Sequence, residues 1–196
     1  MSNPNKNIYV TLGASNHTEK EREKDDFYAT DPQAAELLME IEDFDGDIWE
    51  CATGQNHLAN VFKEHGYNVR TSDLVQRTEG IEQIDFLNYS GTWDGNIITN
   101  PPYKYAEEFV YKAMDILQEG KKLALFLKIQ FLEGKKRRAM FDMYPPKKIW
   151  VSSSRLLCAK NADFQGMRDG GGSAVAYAWF IWEKGYKGKP IVDWFN

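Results

Sequence analysis

Between residues 30 and 129, short apolar runs alternate with stretches of helical periodicity, and this alternation restricts the possible folds more than any other feature of the chain. The runs "DIWEC" (47–51), "YNVRTSD" (67–73), "GNIIT" (95–99) and "KLALFLKI" (122–129) are short and bounded by turn residues, which predicts strands. Residues 30–41, "TDPQAAELLMEI", predict a helix capped by Asp31 with Pro32 in its first turn. Two further helices are predicted by "NHLANVFKEHG" (56–66) and "YAEEFVYKAMDILQEG" (105–120), each amphipathic and ending in glycine. Strands that alternate with helices in this way make a mostly parallel sheet covered on both faces. Toward the C-terminus two strands, "KKIWVSSS" and "AVAYAWFIW", are joined by the Gly-rich "CAKNADFQGMRDGGGS" with no long helix between them. They predict an antiparallel pair at one edge of the sheet.

With 196 residues and 42% hydrophobic content, one well-buried core is expected. Residues 1–25 are polar and end in a mixed-charge run, so they are expected to form a flexible or docked arm, with a single domain over 26–196. The sequence shows no membrane span and no secretory signal, and the expectation is an intracellular, cytoplasmic protein. Cys51 and Cys158 are too few for a disulfide scaffold and share no metal-ligand spacing with His17, His57 or His65, so no metal is expected. A net charge of -5 argues against nonspecific coating of nucleic acid. A local basic run remains: Lys135, Lys136, Arg137, Arg138, Lys147 and Lys148 stand with Asp142 as the one acid in residues 134–148. It fits a solvated helix face as well as a phosphate contact.

In an open parallel sheet, ligands bind beyond the carboxyl ends of the strands, where strand order reverses. The first predicted strand ends in "WECATGQNHL", where Gly54 can make a tight turn into a helix start; an ordinary strand-to-helix turn fits as well. About twenty residues on, Asp73 has the spacing of an acid that accepts hydrogen bonds from a ribose. A full G-x-G-x-x-G is lacking because Asn56 stands at the second glycine position, which favours a ligand without a pyrophosphate. Asp85 and Phe86 pair an acceptor with an apolar group able to line a purine. Most informative is "NPPY" at 100–103, directly after an apolar strand. Adjacent prolines stiffen the backbone and remove two donors, so the loop presents acceptors. The Asn100 amide oxygen and the Pro101 carbonyl can hold both hydrogens of a planar amino group while Tyr103 stacks on the ring that bears it.

These motifs resemble those of class I S-adenosylmethionine-dependent methyltransferases, in particular the bacterial and phage adenine-N6 DNA methyltransferases. Asn100, Pro101, Pro102 and Tyr103 match that family's catalytic loop letter for letter. "ECATGQN" resembles its glycine loop through Glu50, Ala52 and Gly54, with Cys51 in place of a proline and Asn56 in place of a glycine. "DFYATDP" resembles its N-terminal cofactor motif through Phe27, Tyr28, Thr30 and Pro32. The resemblance assigns Asp73 to the cofactor ribose and Asp85 with Phe86 to its adenine. It implies a Rossmann-like fold with a mostly parallel seven-stranded sheet, an antiparallel C-terminal edge strand and helices on both faces.

It also implies S-adenosylmethionine as cofactor and methyl transfer to N6 of adenine in DNA, the base being flipped out or supplied single-stranded. No large target-recognition domain fits between the motifs, so nucleic-acid contacts would fall to Lys135, Lys136, Arg137, Arg138, Arg155 and Arg168, to a specificity partner, or to a second copy of the chain. RNA adenine-N6 transfer, protein glutamine-N5 transfer and a binding module without catalysis remain open on these residues.

Overall fold

The computed structural model describes residues 28–154, 156, 158–160, 164 and 175–196. The expected N-terminal arm and Phe27, Arg155 and Arg168 lie outside the described residues. Eight strands form one sheet: β2 (Ile48–Glu50), β3 (Val69–Asp73), β4 (Glu82–Gln83), β5 (Asn96–Thr99), β6 (Lys122–Lys128), β7 (Lys148–Ser152), β9 (Tyr177–Glu183) and β10 (Ile191–Phe195). Their order is β10-β7-β9-β6-β5-β2-β3-β4. Two more strands, β1 (Tyr28–Thr30) and β8 (Cys158–Lys160), pair antiparallel as a separate ribbon. The helices are α1 (Pro32–Ile41), α2 (His57–Glu64), α3 (Ala106–Ile116) and α4 (Arg138–Met143).

Period-two alternation along the central strands divides the core into two faces. Leu123, Leu125 and Leu127 of β6 and Ala178, Phe180 and Trp182 of β9 join α3 and α4 on one side. Ala124 and Phe126, with Tyr177, Trp179 and Ile181, meet α1 and α2 on the other. Asp31 caps α1 as expected, accepting from the Gln33 N–H at 3.2 Å, with Pro32 as the first helical residue. Helix α3 stops at Ile116, before the expected Gly120, which instead turns the chain into β6 with φ +82°. Buried Asn96 fixes the entry of the central strands: its amide donates to the Asp45 carbonyl at 2.6 Å and accepts from the Lys122 N–H at 2.9 Å.

Two expectations about the sheet need correction. Among the described residues it has eight strands, not seven, and its antiparallel strand is not at the edge. Strand β9 runs antiparallel between β6 and β7, paired with both, and β10 forms the edge, parallel to β7. The physical reason is visible in residues 177–182, which are buried at every position; a strand covered on both faces reads as a continuous apolar run and belongs inside a sheet. Strand β10 has the opposite character, with Ile191, Val192 and Trp194 exposed. Among the described residues no helix is long and apolar enough to cross a membrane.

Candidate active site

Strand order reverses between β2 and β5, and a cavity of about 510 Å³ opens beyond the carboxyl ends of β2, β3 and β5. That volume lies within the roughly 300–1,000 Å³ common for small-molecule sites. The cavity is lined by Glu50, Ala52, Asp73, Asp85, Phe86 and the whole of Asn100–Tyr103, and Thr30 also reaches it. Residues separated by up to 73 positions in the sequence therefore share one space.

The turn after β2 is held by Asp73. One carboxylate oxygen accepts from the Gly54 N–H at 2.8 Å; the other accepts from the Val75 N–H at 3.0 Å and from Arg77 at 3.1 Å. Gly54 has φ +55° and Asn56 φ +65°, so the asparagine adopts the left-handed conformation for which glycine is usually used. Asparagine tolerates this region better than most residues, so the missing second glycine leaves the loop geometry available. Asn56 also precedes α2, whose first residue, His57, lines the cavity; burial lowers the basicity of its ring.

Glu50 closes the bottom of this loop. It is buried, and burial pushes its carboxyl up to about 8, against hydrogen bonds from Thr53 and the Ala59 backbone. Thr53 Oγ1 lies 2.9 Å from Glu50 Oε2 and 2.7 Å from Asn56 Oδ1. A hydroxyl has one proton to give, so both contacts are satisfied together when Glu50 carries a proton and donates to Thr53. Cys51, beside it, is buried, and burial pushes its thiol well up.

On the far wall, Asp85 accepts from the Leu87 N–H at 3.0 Å and from Asn88 at 2.7 Å, starting a short 3-10 turn that fixes Phe86. Phe86 packs edge-on against Trp49 (5.4 Å between ring centroids) and tilted against Phe109 (4.8 Å). Trp49 is itself tied down by its indole N–H, which donates to Ser72 at 2.8 Å. Phe86 is therefore a rigid wall residue as well as part of the core.

The fourth side is the proline loop. The Asn100 amide nitrogen donates to Thr30 Oγ1 at 2.8 Å and lies 3.7 Å from Cys158 Sγ. After the two prolines the chain enters a 3-10 turn at Tyr103–Tyr105, closed by the Tyr105 N–H on the Pro102 carbonyl at 2.8 Å. The half-buried Tyr103 donates its hydroxyl to Cys158 at 3.3 Å, and the Lys128 ammonium sits 4.8 Å from its ring centroid. Burial, with Cys158 alongside, pushes the Tyr103 phenol well up, so it stays a donor.

Other predicted residues fall elsewhere. Tyr28 belongs to β1; Pro32 starts α1 and is not among the residues that line the cavity, and Gly54 contributes through its N–H to Asp73. The basic run lies outside the cavity and is largely paired within the protein. Arg137 donates to the carbonyls of Phe131, Gln130 and Glu133, and Arg138 pairs with Asp142. Lys147 pairs with Glu183 and Lys148 with Glu42, while Lys135 and Lys136 are exposed. The residue that sequence reasoning missed most plainly is Cys158. Its place follows from pairing between β1 and β8, which no local pattern announces.

No protein-family model matches the chain, and no curated protein matches it in sequence. Solved structures do share its fold. A Listeria monocytogenes protein provisionally assigned to the class I S-adenosylmethionine-dependent methyltransferases is 14% identical, with a TM-score of 0.56 over 83% of this chain and 62% of that one. A SAM-dependent O-methyltransferase from Thermotoga maritima is 15% identical, with a TM-score of 0.54 over 81% of this chain and 67% of that one. TrmN from Thermus thermophilus is 16% identical, with a TM-score of 0.53 over 78% of this chain and 48% of that one. The chain thus spans less than two thirds of the Listeria and Thermus proteins. The architecture, a mostly parallel sheet with one antiparallel strand and flanking helices, is the Rossmann-like methyltransferase fold.

Proposed function

We propose that this chain, which has the Rossmann-like methyltransferase fold, is an S-adenosylmethionine-dependent methyltransferase that modifies the amino nitrogen N6 of adenine in DNA. The observation that carries the reading is the meeting of Glu50, Asp73 and the Asn100–Tyr103 loop at one cavity beyond three neighbouring parallel strands. The residues present suit the cofactor. Glu50 is a buried carboxyl able to take up a cationic amino group, Asp73 an acceptor for ribose hydroxyls, and Asp85 with Phe86 an acceptor and apolar wall for a purine.

When bound, S-adenosylmethionine supplies an activated methyl on a sulfonium. The chain's own part is positioning. Asn100 and the Pro101 carbonyl accept the two hydrogens of the target amine, which leaves the nitrogen lone pair available for attack. Aligned reactants of this kind gain up to roughly 7–11 kcal/mol over free ones. Tyr103 offers a ring for the target base, and stacking contributes about 1–3 kcal/mol toward its extrusion.

The test is transfer of a labelled methyl group from S-adenosylmethionine into duplex DNA, single-stranded DNA, RNA and protein, run in parallel. Incorporation into DNA that Asn100→Ala abolishes is the expected result. Incorporation into RNA or protein alone would reassign the substrate, and none in any pool would remove the reading.

A further inference from the structure

We propose that Thr30 and Cys158 are positioning residues that fix the rotation of the Asn100 amide by holding its NH2 end. The inference rests on the reading of Asn100 as the acceptor for the substrate amine. A side-chain amide has two ends of almost equal shape but opposite hydrogen-bonding character. Flipped, the same side chain would present donors to an amine that itself donates, so the rotation decides whether the loop attracts or repels its target.

The structure supplies a device that sets it. Thr30 and Cys158 are directly opposite each other in the antiparallel β1–β8 ribbon, and both are buried. The Asn100 amide nitrogen donates to Thr30 Oγ1 at 2.8 Å. A threonine hydroxyl alone does not decide the rotation, because it can accept or donate. Here the Cys158 sulfur stands beside the same amide nitrogen as the threonine hydroxyl. The sulfur lies 3.7 Å from the same amide nitrogen, a second acceptor on the same side. Cys158 also accepts from the Tyr103 hydroxyl at 3.3 Å, so one thiol ties both ends of the Asn100–Tyr103 loop to the ribbon. The cysteine remains a thiol in neutral solution, since burial pushes it up to about 11. Its role is that of a soft, apolar-compatible acceptor and not of a nucleophile.

Thr30→Val removes the hydroxyl and keeps the shape, Thr30→Ser keeps the hydroxyl, and Cys158→Ala removes the sulfur acceptor. Two readouts separate the brace from the reaction. First, hydrogen exchange of the Asn100 side-chain NH2 is followed by NMR on the full chain, with the signal assigned by its loss in Asn100→Ala. Exchange is expected to be slow in the wild type and Thr30→Ser, and faster by about tenfold or more in Thr30→Val, with Cys158→Ala between. Second, at saturating cofactor, Thr30→Val is expected to lower kcat by about 10- to 100-fold, and Thr30→Ser to restore it.

Equal exchange in wild type and Thr30→Val would overturn the brace. So would a loss of turnover explained wholly by cofactor affinity, or a Thr30→Ser variant as slow as Thr30→Val. Inactivity of the wild type on every substrate would instead remove the methyltransferase reading, while the exchange contrast would still decide whether these two residues hold the amide.

Discussion

The carboxyl of Glu50 offers a quantitative test, because the fold holds it in a protonation state that the unfolded chain abandons. Burial moves it from an ordinary 4.5 to about 8. At about 1.4 kcal/mol per pH unit, ionising it inside the fold costs on the order of 4–5 kcal/mol. Between these two values the native state binds the proton and the unfolded state does not. The contribution of Glu50 to stability is therefore intact below about pH 4.5 and is lost progressively as pH rises from there to about 8. Glu50→Gln is the control, since an amide reproduces the neutral acid and can donate to Thr53 in the same way. Urea unfolding of both proteins from pH 5 to 9 is expected to show the variant gaining on the wild type by about 4 kcal/mol across that range. The same titration reaches the ligand. A cationic amino group entering beside Glu50 favours its ionised form, so wild-type cofactor affinity is expected to rise about tenfold per pH unit below pH 8 and then level off. A stability difference that stays constant with pH would refute the reasoning.

Asn100→Ala and Tyr103→Ala are each expected to lower single-turnover methyl transfer by about 100-fold or more, with cofactor affinity by calorimetry changed less than about threefold. Asp73→Asn exchanges a charged acceptor for a neutral one in contact with Gly54, Val75 and Arg77, and is expected to lose about 1–3 kcal/mol of stability in denaturant unfolding. Its cofactor affinity, measured by calorimetry, should fall by about tenfold or more. Far from the cavity, burial pushes the Glu42 carboxyl up, but hydrogen bonds from Lys122 and Lys148 together outweigh this and hold it below the ordinary value. Glu42→Gln is expected to lose about 2–3 kcal/mol in neutral solution, and the deficit should shrink as pH falls below 4.5 and the wild-type carboxyl takes up its proton.

What could be read from the sequence was whatever a contiguous run of residues encodes. Asp31 with Pro32 started a helix where expected, and the apolar run of β6 was a strand. The "NPPY" loop lay at a strand end because four adjacent letters carry both its stiffness and its acceptors. Long-range pairing was not legible. Nothing local joins Thr30 to Cys158, yet their register across the β1–β8 ribbon places a thiol against the Asn100–Tyr103 loop. The pairing of the basic run was hidden for the same reason: the acids that pair with Lys147 and Lys148 are Glu183 and Glu42, 36 and 106 residues away. At Asn56 the letter departed from the glycine pattern while the backbone kept the glycine conformation. At the sheet edge, exposed Ile191, Val192 and Trp194 gave β10 no inside and outside to alternate between.

The most direct test of the account is mass spectrometry of nucleosides released from duplex DNA after incubation with S-adenosylmethionine and either the wild-type protein or Asn100→Ala. The account predicts N6-methyladenine with the wild type and none above background with the variant. Methylation at another position, or equal N6-methyladenine from both proteins, would contradict the assignment of the Asn100 loop as the site of transfer.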